Sequence, residues 1–266
     1  MIKRFSHSSI ETFKKCPAQF KFRYLDKVRK PDEGVEAFMG KRVHEALEFL
    51  YTKKLAGKIP IVDTILDYYH AQWDDKWHER IAIVRKNLND LSYRYLGEDC
   101  LARYFRTYAP FDQNVISVEK SIDFFIDENE DYPFRGIIDR LDEDDKGNWE
   151  IHDYKSGSNV LSQSRANTDS QLALYEIGIR YNNKNIKTVT LCWHFLQSGI
   201  VRKSNRTARQ LSLLTNRIKS TVDEIRNRIN RDLSFVPKES VLCNWCYYWE
   251  ECPVKRQGNP HMIDLH

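Results

Sequence analysis

Apolar positions along this chain recur at two different spacings, and the change from one to the other divides it. Ser8-Ser9-Ile10-Glu11 has the form of a capping box and predicts a short helix carrying Ile10, Phe13 and the Cys16-Pro17 step. From about Phe38 to Ala109 the period is helical, with Val43, Leu47 and Leu50, then Ile65, Tyr68, Tyr69, Trp73 and Trp77. Alternation then takes over. Val115 to Ile126 predicts a strand, Asp127 to Pro133 a turn, and Phe134 to Asp142 a second strand. Asp144-Asp145-Lys146-Gly147-Asn148 turns the chain into a third, Trp149 to Lys155. After Gly157 comes a loop, then a helix from about Asp169 to Tyr181 and a strand from Thr188 to Leu196, whose Val189, Leu191, Trp193 and Phe195 share one face. A basic helix from about Asn205 to Arg231 follows. Strands, a helix and a further strand wrapped by helices predict an α/β domain with a central mixed β-sheet flanked by helices.

Composition bounds this picture. A chain of 266 residues with 41% hydrophobic and 12% aromatic residues can bury a sizeable core within one domain. No apolar segment follows Met1-Ile-Lys-Arg and no apolar run reaches bilayer length, so a cytoplasmic protein without membrane contact is expected. The net charge of +4 is modest, but it is unevenly spread. Basic residues crowd the first 42 positions and the stretch from Arg202 to Arg231, whereas Asp112 to Asp153 is acidic. Basic flanks around an acidic centre suit an enzyme that attracts phosphates and holds cations. Solvated helix faces and an acidic turn account for many of the same charges. No Gly-x4-Gly-Lys-(Ser/Thr) loop is present, so strand opening by nucleotide hydrolysis would need a separate helicase or recombination protein.

The acidic stretch carries the candidate chemistry. Side chains two apart on a strand share a face, so Asp153 and Lys155 point one way and Tyr154 the other. On the preceding strand Asp139 is expected to share its face with Ile137 and Leu141. If the two strands pair on those faces, two carboxylates and an ammonium meet beside apolar side chains, a costly grouping without a cation. Mg²⁺ or Mn²⁺, hard ions with oxygen ligands, would neutralise it, activate a water and stabilise charge on a phosphate. Lys155 would orient the water or help deprotonate it, and offset the developing negative charge. For any one of these residues alone, a structural ion pair is the default reading.

Four of the six cysteines form a second pattern: Cys243-x2-Cys246-x5-Cys252 near one end and Cys16 near the other. In a reducing compartment this spacing points to a metal centre rather than disulfides, with zinc and iron-sulfur both open. Cys100 and Cys192 lack ligand-like neighbours in sequence and are expected in the core.

Gly136-Ile-Ile-Asp139-Arg-Leu-Asp142, Asp153-Tyr-Lys155-Ser-Gly157 and Gln171-x3-Tyr175, with Gly40-Lys-Arg-Val-His44-Glu upstream, resemble the RecB-type branch of the PD-(D/E)XK nuclease superfamily. With the four cysteines added, the pattern is similar to AddB nuclease domains and four-cysteine CRISPR-associated exonucleases. The resemblance implies a restriction-endonuclease-like core over 111–200, a helical insertion over 38–110, and a [4Fe-4S] cluster held by Cys16, Cys243, Cys246 and Cys252. That cluster would act as a staple joining segments 1–30 and 240–256 of a single nuclease domain. His44, Asp139 and Asp153 would ligate Mg²⁺ or Mn²⁺ with the backbone carbonyl of Tyr154. Lys155 would be the catalytic lysine, and Gln171 and Tyr175 would position substrate or the lysine. Ile138 stands where the superfamily's name has proline. Glu119 lies on the first strand's less apolar face and could reach the metal region, although a structural role is favoured, and Gln171 could instead close a capping box with Thr168.

The function so implied is a DNA exonuclease preferring single strands, in recombination, repair, or CRISPR or phage DNA processing. A DNA-binding or assembly subunit without catalysis, and a site-specific duplex endonuclease, are the alternatives.

Overall fold

The computed structural model describes residues 2–31, 33–85 and 87–260. Its first helix, α1 (His7–Lys15), begins at Ser6, whose hydroxyl accepts from the Ser9 amide at 3.1 Å while Ser9 Oγ accepts from the Ser6 amide. The capping box is thus Ser6 with Ser9, two residues before the expected Ser8 with Glu11. Glu11 pairs with Lys14 instead. Pro17 opens the short α2 (Pro17–Phe20), where its missing amide costs nothing, and a π-helical turn covers Lys21–Leu25.

The expected helical region resolves into α3 (Val35–Leu55), α4 (Val62–Lys76) and α5 (Asp90–Tyr108). Two very short strands, β1 (Glu33–Gly34) and β2 (Ile81–Ala82), pair in parallel across it, too short to leave an alternation in the sequence. Five strands form the central sheet in the order β3 (Val115–Phe125), β4 (Pro133–Glu143), β5 (Asn148–Lys155), β6 (Thr188–Phe195) and β7 (Ile200–Ser204). Only β5 and β6 are parallel, so the sheet is mixed. The parallel pair needs a crossover, supplied by α6 (Gln163–Ala166) and α7 (Gln171–Asn182). β7 was not expected from the pattern, because Ile-Val-Arg-Lys-Ser is a charged edge strand without a clean apolar face. After it comes α8 (Ala208–Asn230), opened by a Thr207–Gln210 capping box.

Helices cover both faces of the sheet. On one, Ile122, Leu141, Ile151, Leu191 and Trp193 pack with residues of α7 and α8; Val189 and Phe195 join them, as their shared spacing implied. On the other, Val115, Tyr154 and Leu196 pack with α3, α4 and α5. This is the α/β arrangement expected of a restriction-endonuclease-like core.

The two ends of the described chain meet through ion pairs and hydrogen bonds. Lys30 Nζ lies 2.7 Å from Glu250 and 2.6 Å from Glu251, and the Tyr248 hydroxyl donates to Val28 O at 3.4 Å. The N-terminal segment also joins the sheet: Phe5 N donates to Pro133 O at 2.9 Å and Arg135 N to Phe5 O at 2.8 Å. That pairing brings the start of α1 beside β4. No helix among the described residues is long and apolar enough to cross a membrane.

Candidate active site

The ladder between β4 and β5 ends at Arg140 opposite His152. One step further along the same register Asp139 faces Asp153, but there the strands separate. The amide of Tyr154 donates to Asp139 Oδ2 at 2.8 Å, so the carboxylate takes over a hydrogen bond the ladder has given up. Asp139 also sits at a change of facing. Ile138 and Leu141 both join the α7 side, while Arg140 between them turns to the hydroxyls of Tyr104 and Tyr154 on the other. Ile137, expected on Asp139's apolar face, is 50% exposed.

His44 reaches this point from α3. A Cβ on Gly40 would lie 2.8 Å from Ser156 Oγ, so the glycine lets α3 approach the end of β5 one turn before the histidine. His44 Nε2 lies 2.8 Å from Tyr154 O, and a carbonyl can only accept. Nε2 therefore carries the proton, and in the neutral ring Nδ1 offers a lone pair, 3.5 Å from Asp139 Oδ2. The Tyr154 carbonyl, expected as a ligand, is the acceptor that fixes this tautomer.

Glu119 completes the group: ligand atoms of His44, Glu119 and Asp139 all lie within 4.8 Å of one another. On β3, Val118 pairs with Arg140 and Lys120 with Ile138, so Glu119 lies opposite Asp139. Its φ of 43° is in the left-handed region, a local strain typical of side chains that must be aimed. The structural role expected for Glu119 gives way to membership of the cluster. Its register against Asp139 was the signal that could have found it. Desolvation, then the Asp139 carboxylate, push the Glu119 carboxyl up to about 7, with His44 opposing.

Asp153 and Lys155 share a face, as their spacing requires. Lys155 Nζ is 2.7 Å from Asp153 Oδ2, and both side chains are bridged by Gln171 at the start of α7. Gln171 Oε1 accepts from Lys155 and its Nε2 donates to Asp153 Oδ1, each at 2.9 Å. Gln171 thus serves the site rather than a capping box with Thr168; its own amide donates to Asp169 Oδ1 at 2.9 Å. Tyr175, one turn on, lays its ring over Gly136, where a Cβ would come within 2.6 Å of it. Burial, with Asp139 adding, raises the Asp153 carboxyl while Lys155 and His44 hold it down. Burial lowers Lys155, but Asp153 and the further carboxylates outweigh it and keep the ammonium.

The donor set fits a divalent cation. It combines one imidazole nitrogen with carboxylate oxygens. Asp153 itself stands outside the three-residue group, held toward Lys155 and Gln171.

Behind Tyr154 lies a polar network that the sequence did not announce. Arg140, 1% exposed, makes two bonds to Asp142 at 2.9 and 3.0 Å and donates to the hydroxyls of Tyr51, Tyr104 and Tyr154. His152 lies 3.1 Å from Asp142 Oδ2 and 2.9 Å from His194. Glu150, His152 and Cys192 also converge within 4.8 Å. Because His152 has both nitrogens engaged and faces the Arg140 guanidinium, this group reads as a packed relay. Cys192, expected in the core, is buried there, as Cys100 is on the inward face of α5.

The cysteine expectation is corrected. Among the described residues, the groups whose ligand atoms converge are the two mixed sets above, and no tetrad of Cys16, Cys243, Cys246 and Cys252 is among them. The four are free thiols around one cavity at the junction of the chain ends. Cys16 Sγ accepts from the Lys238 amide at 3.4 Å and Cys246 Sγ from Gln19 at 3.8 Å. Sequence spacing reported that these residues could gather; it could not report how their sulfurs are placed.

Residues 4–253 match the model of the PD-(D/E)XK nuclease superfamily. The chain belongs to that superfamily, whose chemistry is cleavage of phosphodiester bonds in DNA. The crystal structure of a "putative exonuclease" from Eubacterium rectale superposes with a TM-score of 0.53 at 12% identity, covering 92% of this chain and 87% of that one. That likeness concerns the fold. No curated protein matches.

One consequence concerns pH. A carboxyl held near 7 when folded and at its ordinary value when unfolded keeps its proton longer in the native state. Cation-free protein should therefore lose stability as pH rises from about 4.5 to about 7. Urea unfolding in chelator across that range should show the decline, and Glu119→Gln should flatten it. An identical slope in the variant would remove Glu119 as its source.

Proposed function

We propose that this protein is a divalent-cation-dependent exonuclease that prefers single-stranded DNA, of the RecB-type branch of its superfamily. One observation carries the reading: the diverging ends of β4 and β5 gather His44, Glu119 and Asp139 next to the Asp153, Lys155 and Gln171 triplet. His44, Glu119 and Asp139 would hold the cation, with Asp153 beside them and its Oδ2 paired to Lys155 Nζ at 2.7 Å. Imidazole among the donors favours Mn²⁺ over the harder Mg²⁺. When bound, the cation supplies Lewis acidity and lowers the pKa of a water.

The chain's own residues do the rest. Lys155 stays protonated and faces the charge that develops on the phosphate, where an ammonium on a semi-rigid strand end needs little reorganisation. Gln171 holds Lys155 and Asp153 in one orientation, and Tyr154 fixes the His44 tautomer. The burial of Asp153, 4% exposed, and of the Lys155 side chain, 35% exposed, supports a flexible single strand over a stiff duplex as the substrate. Strands opened by a separate helicase or recombination protein in the cytoplasm suit that access.

Linear single-stranded, circular single-stranded and linear duplex DNA of one sequence, incubated with Mn²⁺, test the preference. Linear single strands should be degraded at least tenfold faster than the other two. Discrete fragments from circles at the same rate would replace exonuclease with endonuclease.

A further inference from the structure

Two clefts meet at Gln171, and their charges differ. One is lined by Lys3, Arg4, His7 and Arg135 and runs to Tyr175, with no carboxylate in its wall. Asp123 pairs with both Arg4, at 3.3 Å, and Arg135, at 2.9 Å, which leaves two guanidiniums to one carboxylate. In the other, Glu36 and Asp169 offset Arg85 and Lys155, between apolar Met39, Leu88 and Leu96. The basic cleft exists because Phe5 pairs with β4, setting the first residues of the chain beside Arg135. His7 Nε2 is held by Ser170 Oγ at 3.0 Å, just before Gln171, so the N-terminal segment and the reacting groups share one wall.

We propose that the basic cleft binds the sugar-phosphate backbone of a single nucleic-acid strand on one side of the reacting phosphodiester. Lys3 and Arg135 each contact a phosphate. The neutral cleft takes no phosphate beyond the reacting one. This rests on the nuclease reading for the identity of the strand, while the surface rests on the charge asymmetry and the continuity at Gln171.

Fluorescence anisotropy of an end-labelled 20-nucleotide single strand in chelator, over a range of salt, tests it without cleavage. Neutralising a phosphate contact on a single strand reduces the slope of log K against log salt by about 0.7. The double variant Lys3→Ala/Arg135→Ala should therefore bind about tenfold more weakly at low salt, with a slope smaller by about 1.4. Arg85→Ala, in the neutral cleft, should keep the wild-type slope, and Arg135→Lys alone should keep most of the affinity. A double variant with the wild-type slope, or Arg85→Ala with an equal loss of slope, would overturn the proposal. Cleavage of the same strand by wild type with Mn²⁺ is read separately. Its absence would count against the nuclease reading and leave the binding result to decide the cleft.

Discussion

Asp153→Asn should abolish DNA cleavage while leaving the fold intact. The substitution keeps size and one oxygen, but it removes the charge that Lys155 faces at 2.7 Å. Groups acting as one catalytic unit lose far more than their pairwise contacts suggest, so a fall of at least about 10³-fold in turnover is expected. Stability should move the other way or hardly at all. Burial and the Asp139 carboxylate both disfavour ionised Asp153 in the cation-free protein, and the amide relieves that cost while sacrificing the ion pair. Thermal melting within a few degrees of wild type, beside an activity loss of that size, would mark a site retained for chemistry at the expense of stability. Normal turnover in Asp153→Asn would exclude the assigned role.

The largest effect on stability should come from Arg140→Ala. Its guanidinium is almost fully buried and is the partner of Asp142 and of three tyrosine hydroxyls. Removing it leaves a buried carboxylate against His152 and a cavity between the sheet and α3. Breaking such a pair from one side costs about 3 to 5 kcal/mol. Urea unfolding measures this directly. Because Tyr154 loses a hydroxyl partner and also carries the amide and carbonyl that hold Asp139 and His44, activity at limiting cation should fall in the surviving folded fraction. Arg140→Met/Asp142→Leu removes both charges and should recover much of the stability. A loss below about 1 kcal/mol in the single variant would show that water replaces the guanidinium.

How far the sequence reached depends on what kind of information each feature needs. Alternation alone put Asp153 and Lys155 on one face, because a strand's period admits no other arrangement. It also placed Asp139 near them, and the register runs Asp139 opposite Asp153. The same reasoning favoured a structural role for Glu119 over reach to the metal region, since its partner appears only once β3 is aligned on β4 and its backbone leaves the strand region. The buried network of Arg140 and His152 depends on a second helical layer over the sheet, which strand alternation does not reveal. The cysteines mark the opposite limit. Their spacing is a local property, whereas coordination depends on how two distant segments pack, and the packing sets the four thiols around one cavity with no tetrad of sulfurs within 4.8 Å among the described residues. β7 escaped for a simpler reason, its charged outer edge.

The most direct measurement follows release of nucleotides from an end-labelled linear single strand by the purified wild-type protein in Mn²⁺, in chelator, and after Mn²⁺ is restored. Cleavage that appears with the cation, stops in chelator and returns on its restoration is the expected result. Equal cleavage in chelator, or none with Mn²⁺ or Mg²⁺ by folded protein, would contradict a cation-dependent site at His44, Glu119, Asp139 and Asp153.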